Sequence, residues 1–235
     1  MHRPALVASL FALSCTLNPK GGDTGTTATE GPGGEAPSIQ ATVRALDATS
    51  GAGVSEVTVD NGHGDIATTA SNGAATIPVM ADSTFSVLLQ KEGAIDHLLF
   101  GPTGSEDFEY ITYFASEAMV DSVLTMLGIN PGPETGVVIV GIDYDDLSPA
   151  VGATASIGSA HDSPWILGSM GPTFGHTIAQ GAMGMVAFSS VPPGDVSVSV
   201  VPPSGADCTA FPGGGEMPAA PVAASQVTVV TFHCR

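Results

Sequence analysis

Two stretches of this chain are each copied further along it, and few folds accommodate such copying. TVRALDATSGAGVSEVTV is matched by VIVGIDYDDLSPAVGATASI, which sets Asp47 opposite Asp143, 96 positions on. NGAATIPVMADSTFSVLL is matched by MGMVAFSSVPPGDVSVSV, with Gly73 against Gly184 and Phe85 against Val196, each 111 positions on. A displacement that holds over two strands and the turn between them marks a repeated supersecondary unit. Its growth from 96 to 111 places a longer excursion in the second copy, within HDSPWILGSMGPTFGHTIAQG.

Within each copy the texture is that of short strands. IQATVRAL, VSEVTV, AATIPV and FSVLLQ, then GVVIVGID, ATASI, MVAFSSV and DVSVSVVP, alternate apolar with polar residues between Gly, Pro, Asp and Asn. Alternation of this kind builds a sheet with one buried face, and two such faces must meet to form a core. The segment between the copies, FASEAMVDSVLTMLGINPGPETG, has a different period. Ala118, Val120, Val123, Leu124 and Leu127 recur at helical spacing after Ser116, an N-cap residue, with Glu117 and Asp121 early and Gly128 and Pro131 as stops. A short helix packed on a sandwich and connecting the copies is expected there.

The order of elements, and above all VIVGID, VGATASI and GMVAFSSVPPGDVSVSV, resembles the carboxypeptidase regulatory-like modules, which are transthyretin-like sandwiches. The first copy departs from the pattern, with Ser55-Glu56 for the usual Gly-Ala and Met80-Ala81-Asp82 for Pro-Pro-Gly. The resemblance implies an all-β chain of two tandem Ig-like or transthyretin-like antiparallel β-sandwiches. Such modules are grafted onto many enzymes and surface proteins, so they indicate a fold more than an activity.

The N-terminus addresses location. After His2 and Arg3, residues Ala5–Leu13 form an apolar run interrupted only by Ser9, too short to span a bilayer but suited to an export signal. Ala12-Leu13-Ser14-Cys15 resembles the lipobox of bacterial lipoproteins, which implies acylation of Cys15 and, with Thr16 following, an outer-membrane address. Two or more acyl chains anchor stably where one does not. An ordinary secretory signal with a chance cysteine is the alternative. GGDTGTTATEGPGGEAP has no large apolar side chain and reads as a flexible, disordered tether. The expected organisation is a signal at 1–14, a tether at 15–37, a first module at 38–114, a connector helix and turn at 115–132, and a second module at 133–235.

Cysteine usage fits export. With Cys15 at the signal junction, Cys208 and Cys234 are left to form a disulfide in an oxidising compartment; two buried thiols are the alternative. The formal net charge of -18, from 23 acids against 5 bases, opposes nucleic-acid phosphates and anionic lipid surfaces. The expected partners are the membrane, through the anchor, and an envelope protein or glycan.

No catalytic or cofactor signature stands out. The chain has no HxxE, HxxxH or G-x-S-x-G motif, and its Gly-rich stretches lack the strand-to-helix setting of phosphate cradles. The expectation is a non-enzymatic scaffold without cofactors. Two places could carry binding. Asp143, Asp145 and Asp146 offer three carboxylates in four residues as a weak calcium candidate, or else a solvated turn that blunts a strand edge. Trp165, with Phe174 nearby on the long hairpin, could grip a sugar or peptide, or else fold inward onto its own core.

Overall fold

The computed structural model describes residues 37–235, Ser169 excepted. Seven strands come first: β1 (Ser38–Asp47), β2 (Thr58–Asp60), β3 (Ile66–Thr68), β4 (Ala74–Met80), β5 (Thr84–Gln90), β6 (Asp96–Pro102) and β7 (Phe108–Phe114). Helix α1 (Glu117–Leu127) follows, then β8 (Gly136–Tyr144), β9 (Thr154–Ile157), β10 (Trp165–Gly168) and β11 (Gly171–Phe174). The chain ends with β12 (Ala182–Val191), β13 (Gly194–Val196), β14 (Val198–Val201), β15 (Cys208–Ala210), β16 (Ala220–Val222) and β17 (Gln226–Cys234). The fold is all-β apart from α1. Among the described residues no helix is long and apolar enough to cross a membrane.

The copying seen in the sequence is present in the strand pairing. β1 pairs antiparallel with β4 and parallel with β7; β8 pairs antiparallel with β12 and parallel with β17. Val43 faces Ala75 in the first set and Val140 faces Val186 in the second, displacements of 97 (Val43 to Val140) and 111 (Ala75 to Val186). Gly73 and Gly184, matched in the sequence, both take left-handed backbone, with φ of +78° and +72°. At Gly73 a Cβ would sit 2.2 Å from the Ala45 carbonyl oxygen, so the position demands glycine twice over.

One alignment from sequence is corrected. The strand displacement is 97, which makes Tyr144 and not Asp143 the counterpart of Asp47. The Asp47 amide donates to the Ala52 carbonyl and the Tyr144 amide to the Ser148 carbonyl, so the first turn is one residue longer than the second. Side chains alternate along a strand, and a slip of one residue moves an aspartate to the other face. Asp47 ends β1 at the mouth of its turn, where Thr49 and Ser50 donate to Oδ1 and hold its pKa down at about 2. Asp143 falls on the half-buried face of β8.

The two repeats do not remain separate layers. β17, which falls within the span 133–235 expected of the second module, lies between β8 and β6 and pairs parallel with both. It joins β11, β10, β12 and β8 to β6, β5, β2 and β3 in one sheet of ten strands, with β15 off the main path. β4, β1 and β7 make a separate three-stranded sheet. Two cores result. The first is built on Val43, Ile77, Leu89 and Tyr110 but also takes Val227 and Val229 from β17. The second is built on Val140, Ile142, Phe188 and Phe232 but also takes Phe100 from β6.

α1 forms where the helical spacing predicts it. The Ser116 hydroxyl accepts from the Met119 amide, and Gly128, at φ +69°, donates back to the Leu124 and Thr125 carbonyls. Val123 and Leu124 are buried. Val123 packs with Trp165 and Ala187 in a small third cluster that includes Leu127 and Ile139.

Candidate functional site

β8 is a strand with two apolar faces. Val138, Val140 and Ile142 are buried in the second core, and Val137, Ile139, Gly141 and Asp143 on the opposite face are half-buried. Toward one end this opposite face lies under α1, over a small apolar cavity of about 70 Å³ bordered by Val120, Leu124, Trp165 and Met185. Toward the other end it opens into a cleft of about 270 Å³.

The lining of this cleft defines its geometry. The floor is contributed by alternate residues of β8 and β17, Ile139, Gly141 and Asp143 with Asp145 beyond, and Val229, Thr231 and His233; β12 adds Met183 and Met185, with Gly184, which has no side chain, between them. Alternation means a sheet face. The wall is contributed by five consecutive residues of β7, Glu109 to Tyr113. A run of consecutive residues cannot come from one face of a strand, so the cleft runs along the edge of β7. That edge is open: among the described residues β7 pairs only with β1. Tyr110 holds β7 to the floor, its buried hydroxyl lying 2.8 Å from Thr231 Oγ1, and burial raises its pKa.

The charges of the cleft are unevenly satisfied. Arg44 Nη2 lies 2.7 Å from Glu109 Oε1, and Arg235 Nε donates to Asp145 Oδ2 at 2.9 Å. His233 stacks on Phe211 at 4.0 Å between ring centroids, and burial lowers its pKa. Asp143 has no such help. Desolvation alone pushes it up to about 7. Gly184 makes room for it, because a Cβ there would lie 2.1 Å from Asp143 Oδ1.

The residues singled out from sequence are distributed as follows. Cys15 lies outside the described residues, as do the signal at 1–14 and nearly all of the tether at 15–37. Cys208 and Cys234 form the expected disulfide. Asp143, Asp145 and Asp146 are not brought together. Asp143 is on the sheet face, Asp145 is paired with Arg235, and Asp146 accepts from the Ser148 amide and hydroxyl. No group of three or more His, Cys, Asp or Glu among the described residues could hold a metal ion. The calcium reading loses its geometry because successive residues leave the strand in different directions.

Trp165 and Phe174 face each other across the β10–β11 hairpin, yet they differ in exposure, at 9% and 56%. The indole is turned inward and donates from Nε1 to Ser189 Oγ at 3.0 Å, so it is not a free platform for a ligand. The single tryptophan is therefore expected to emit in the blue and to resist acrylamide quenching. A red-shifted, readily quenched emission would contradict this placement.

Sequence reasoning missed the wall of the cleft. β6 and β7 lie outside the strands expected from alternation, although FEYITYF carries the aromatic and β-branched residues that mark one.

No family model matches the chain, and no curated protein matches it. Similar solved structures exist. The TIE protein of Bacillus anthracis is 10% identical with a TM-score of 0.27; the match covers 83% of this chain and 34% of that one, so this chain spans about a third of its length. The minor pilin of Streptococcus agalactiae is 16% identical, covering 83% and 95% of the two chains, with a TM-score of 0.28. The major pilin of Streptococcus pyogenes is 9% identical, covering 85% and 98%, with a TM-score of 0.29.

Proposed function

We propose that this chain is a lipid-anchored envelope protein, with carboxypeptidase regulatory-like repeats, that acts as a scaffold by contact with another polypeptide. The observation that carries the reading is β17. One strand serves both repeats, so a pull that separates them is resisted by shearing the two parallel ladders that β17 makes with β8 and β6. Beside that sheet the open edge of β7 offers a place to hold something. Cys15 provides the mooring, with the tether as spacer, and no reaction is required of the body it holds in place; the acidic surface keeps that body off anionic lipid.

A second reading, a carbohydrate- or peptide-binding accessory that uses the long hairpin, keeps support from Phe174 and from Met170, which is fully exposed at the hairpin tip. The two readings separate in one experiment. A photo-reactive benzophenone side chain is placed at position 113 or at position 174 of the protein in its native envelope, and adducts and fractionation are compared. A discrete polypeptide adduct from position 113, with the protein in the membrane fraction and Cys15→Ser released from it, is the expected result. An adduct from position 174 alone favours the accessory. Native protein in the soluble fraction with residues 1–14 still attached overturns both.

A further inference from the structure

The repeat supplies its own comparison for the open edge. β7 stands to β1 as β17 stands to β8: each is the parallel neighbour, and Tyr110 pairs with Val43 as Val230 pairs with Val140. The outer edge of β17 is covered, by β6 in parallel along Gln226–Val229 and by β15 along Phe232–Cys234. The corresponding edge of β7 carries neither. Nothing in the geometry of the repeat forbids a strand at that position, since one copy already has it.

The cleft beside this edge has the form an added strand requires. A strand laid against β7 would extend the three-stranded sheet over the floor formed by Ile139, Gly141, Met183 and Met185. Main-chain hydrogen bonds to the edge would supply affinity, and alternate side chains pointing to the floor would supply selectivity. Glu109, already paired with Arg44, places a charge on the edge and discourages indiscriminate pairing.

Charge identifies the occupant. Among the described residues the basic side chains are Arg44, Lys91 and Arg235, and each is committed: to Glu109, to the Ser55 carbonyl and to Asp145. Asp143 is the carboxylate of the floor that the described residues leave without a cation. We propose that β7 accepts a fourth strand, an extended segment of another protein laid parallel along it, whose lysine or arginine is received by Asp143. This deepens the scaffold reading and rests on it. A second copy of this chain fits less well, because at -18 the protein repels itself and the basic side chains among its described residues are already committed.

The test uses the full mature chain in detergent and two fluorescent peptides, acetyl-TVTKTVTVT-amide, whose lysine and valines share one face of the strand, and its counterpart with methionine for lysine. The expected result at pH 8 is saturable binding with at least a tenfold preference for the lysine peptide, lost in Asp143→Asn. Hydrogen exchange on the wild type is expected to show new protection in β7, with none at β4, the other edge of its sheet, or at β3 and β11, the ends of the ten-stranded sheet. This second measurement does not depend on any variant. Binding without protection of β7, equal protection at all edges, or no preference for lysine overturns the proposal. Protection of β7 that rises with protein concentration in the absence of peptide makes a second copy the occupant and also overturns it. A polypeptide adduct at position 113 without protection of β7 would sink the added strand and leave the scaffold standing.

Discussion

Replacing Cys208 and Cys234 together with alanine lowers the stability of this protein by about 3 kcal/mol. The bridge spans 26 positions, and closing a loop of that size removes about that much conformational freedom from the unfolded chain. For a folded body of this size the midpoint of thermal unfolding falls by roughly 6–12 °C. Alanine is the replacement to use because Cys234 is buried in the second core, where a serine hydroxyl would add a desolvation cost of its own. The effect has a location as well as a size. Cys234 ends β17, directly across from Cys208 on β15 and beside Tyr144 on β8. Loss of the bridge frees β15 and the last turn of pairing on β17, so hydrogen exchange accelerates there first. β1 and β4 of the other sheet exchange as before. Unchanged thermal unfolding, or acceleration spread evenly over both sheets, would contradict the account.

How much of this was legible in the sequence depends on the range over which each residue acts. Local signals were readable: Ser116 and Gly128 cap α1, and Gly73 and Gly184 mark two left-handed positions, because capping and steric freedom are decided within a few residues. The alternation of VVIVGID was readable too, and it placed β8. The seam was not. Nothing in SQVTVVTFHC says that Val227 pairs with His97 as well as with Val137, since a strand buried on both edges and one buried on a single edge share the same alternation. The cleft was hidden for a related reason. It is the edge of β7 set against a face shared by β8, β12 and β17, and an edge left open is a property of topology. The slip at Asp47 shows the smallest scale of the problem: one extra residue in a turn separates an aspartate held by donors of its own turn from one that has only desolvation acting on it.

Asp143→Asn raises stability at pH 8 and removes a pH dependence that the wild type displays between about pH 4 and pH 7. The sign follows from the direction of the shift. Burial pushes this carboxyl from 3.8 up to about 7, so across that window the folded state binds a proton that the unfolded state has released. Stability therefore falls as pH rises from the ordinary carboxylate range through about 7, and above 7 the folded protein carries the full cost of a desolvated charge. That cost is about 4 kcal/mol as an upper bound, reduced by whatever water the cleft admits. Asparagine keeps the shape beside Gly184 and removes the charge. His97 and His233 act in the opposite direction, since burial lowers both and the unfolded state takes up their protons below about 6.5. Asp47 acts lower still, its contribution lost as pH falls toward 2. The difference between wild type and variant cancels these common contributions and isolates Asp143. Urea unfolding at pH 5, 6.5 and 8 is the measurement: the stabilisation by asparagine is expected to be small at pH 5 and to grow through pH 8. A cationic strand received in the cleft would supply the missing counter-charge, so the lysine peptide should narrow the gap between the two proteins at pH 8. A gap that is constant with pH would mean that Asp143 ionises in the folded protein as it does in water, and the charge argument for the cleft would go with it.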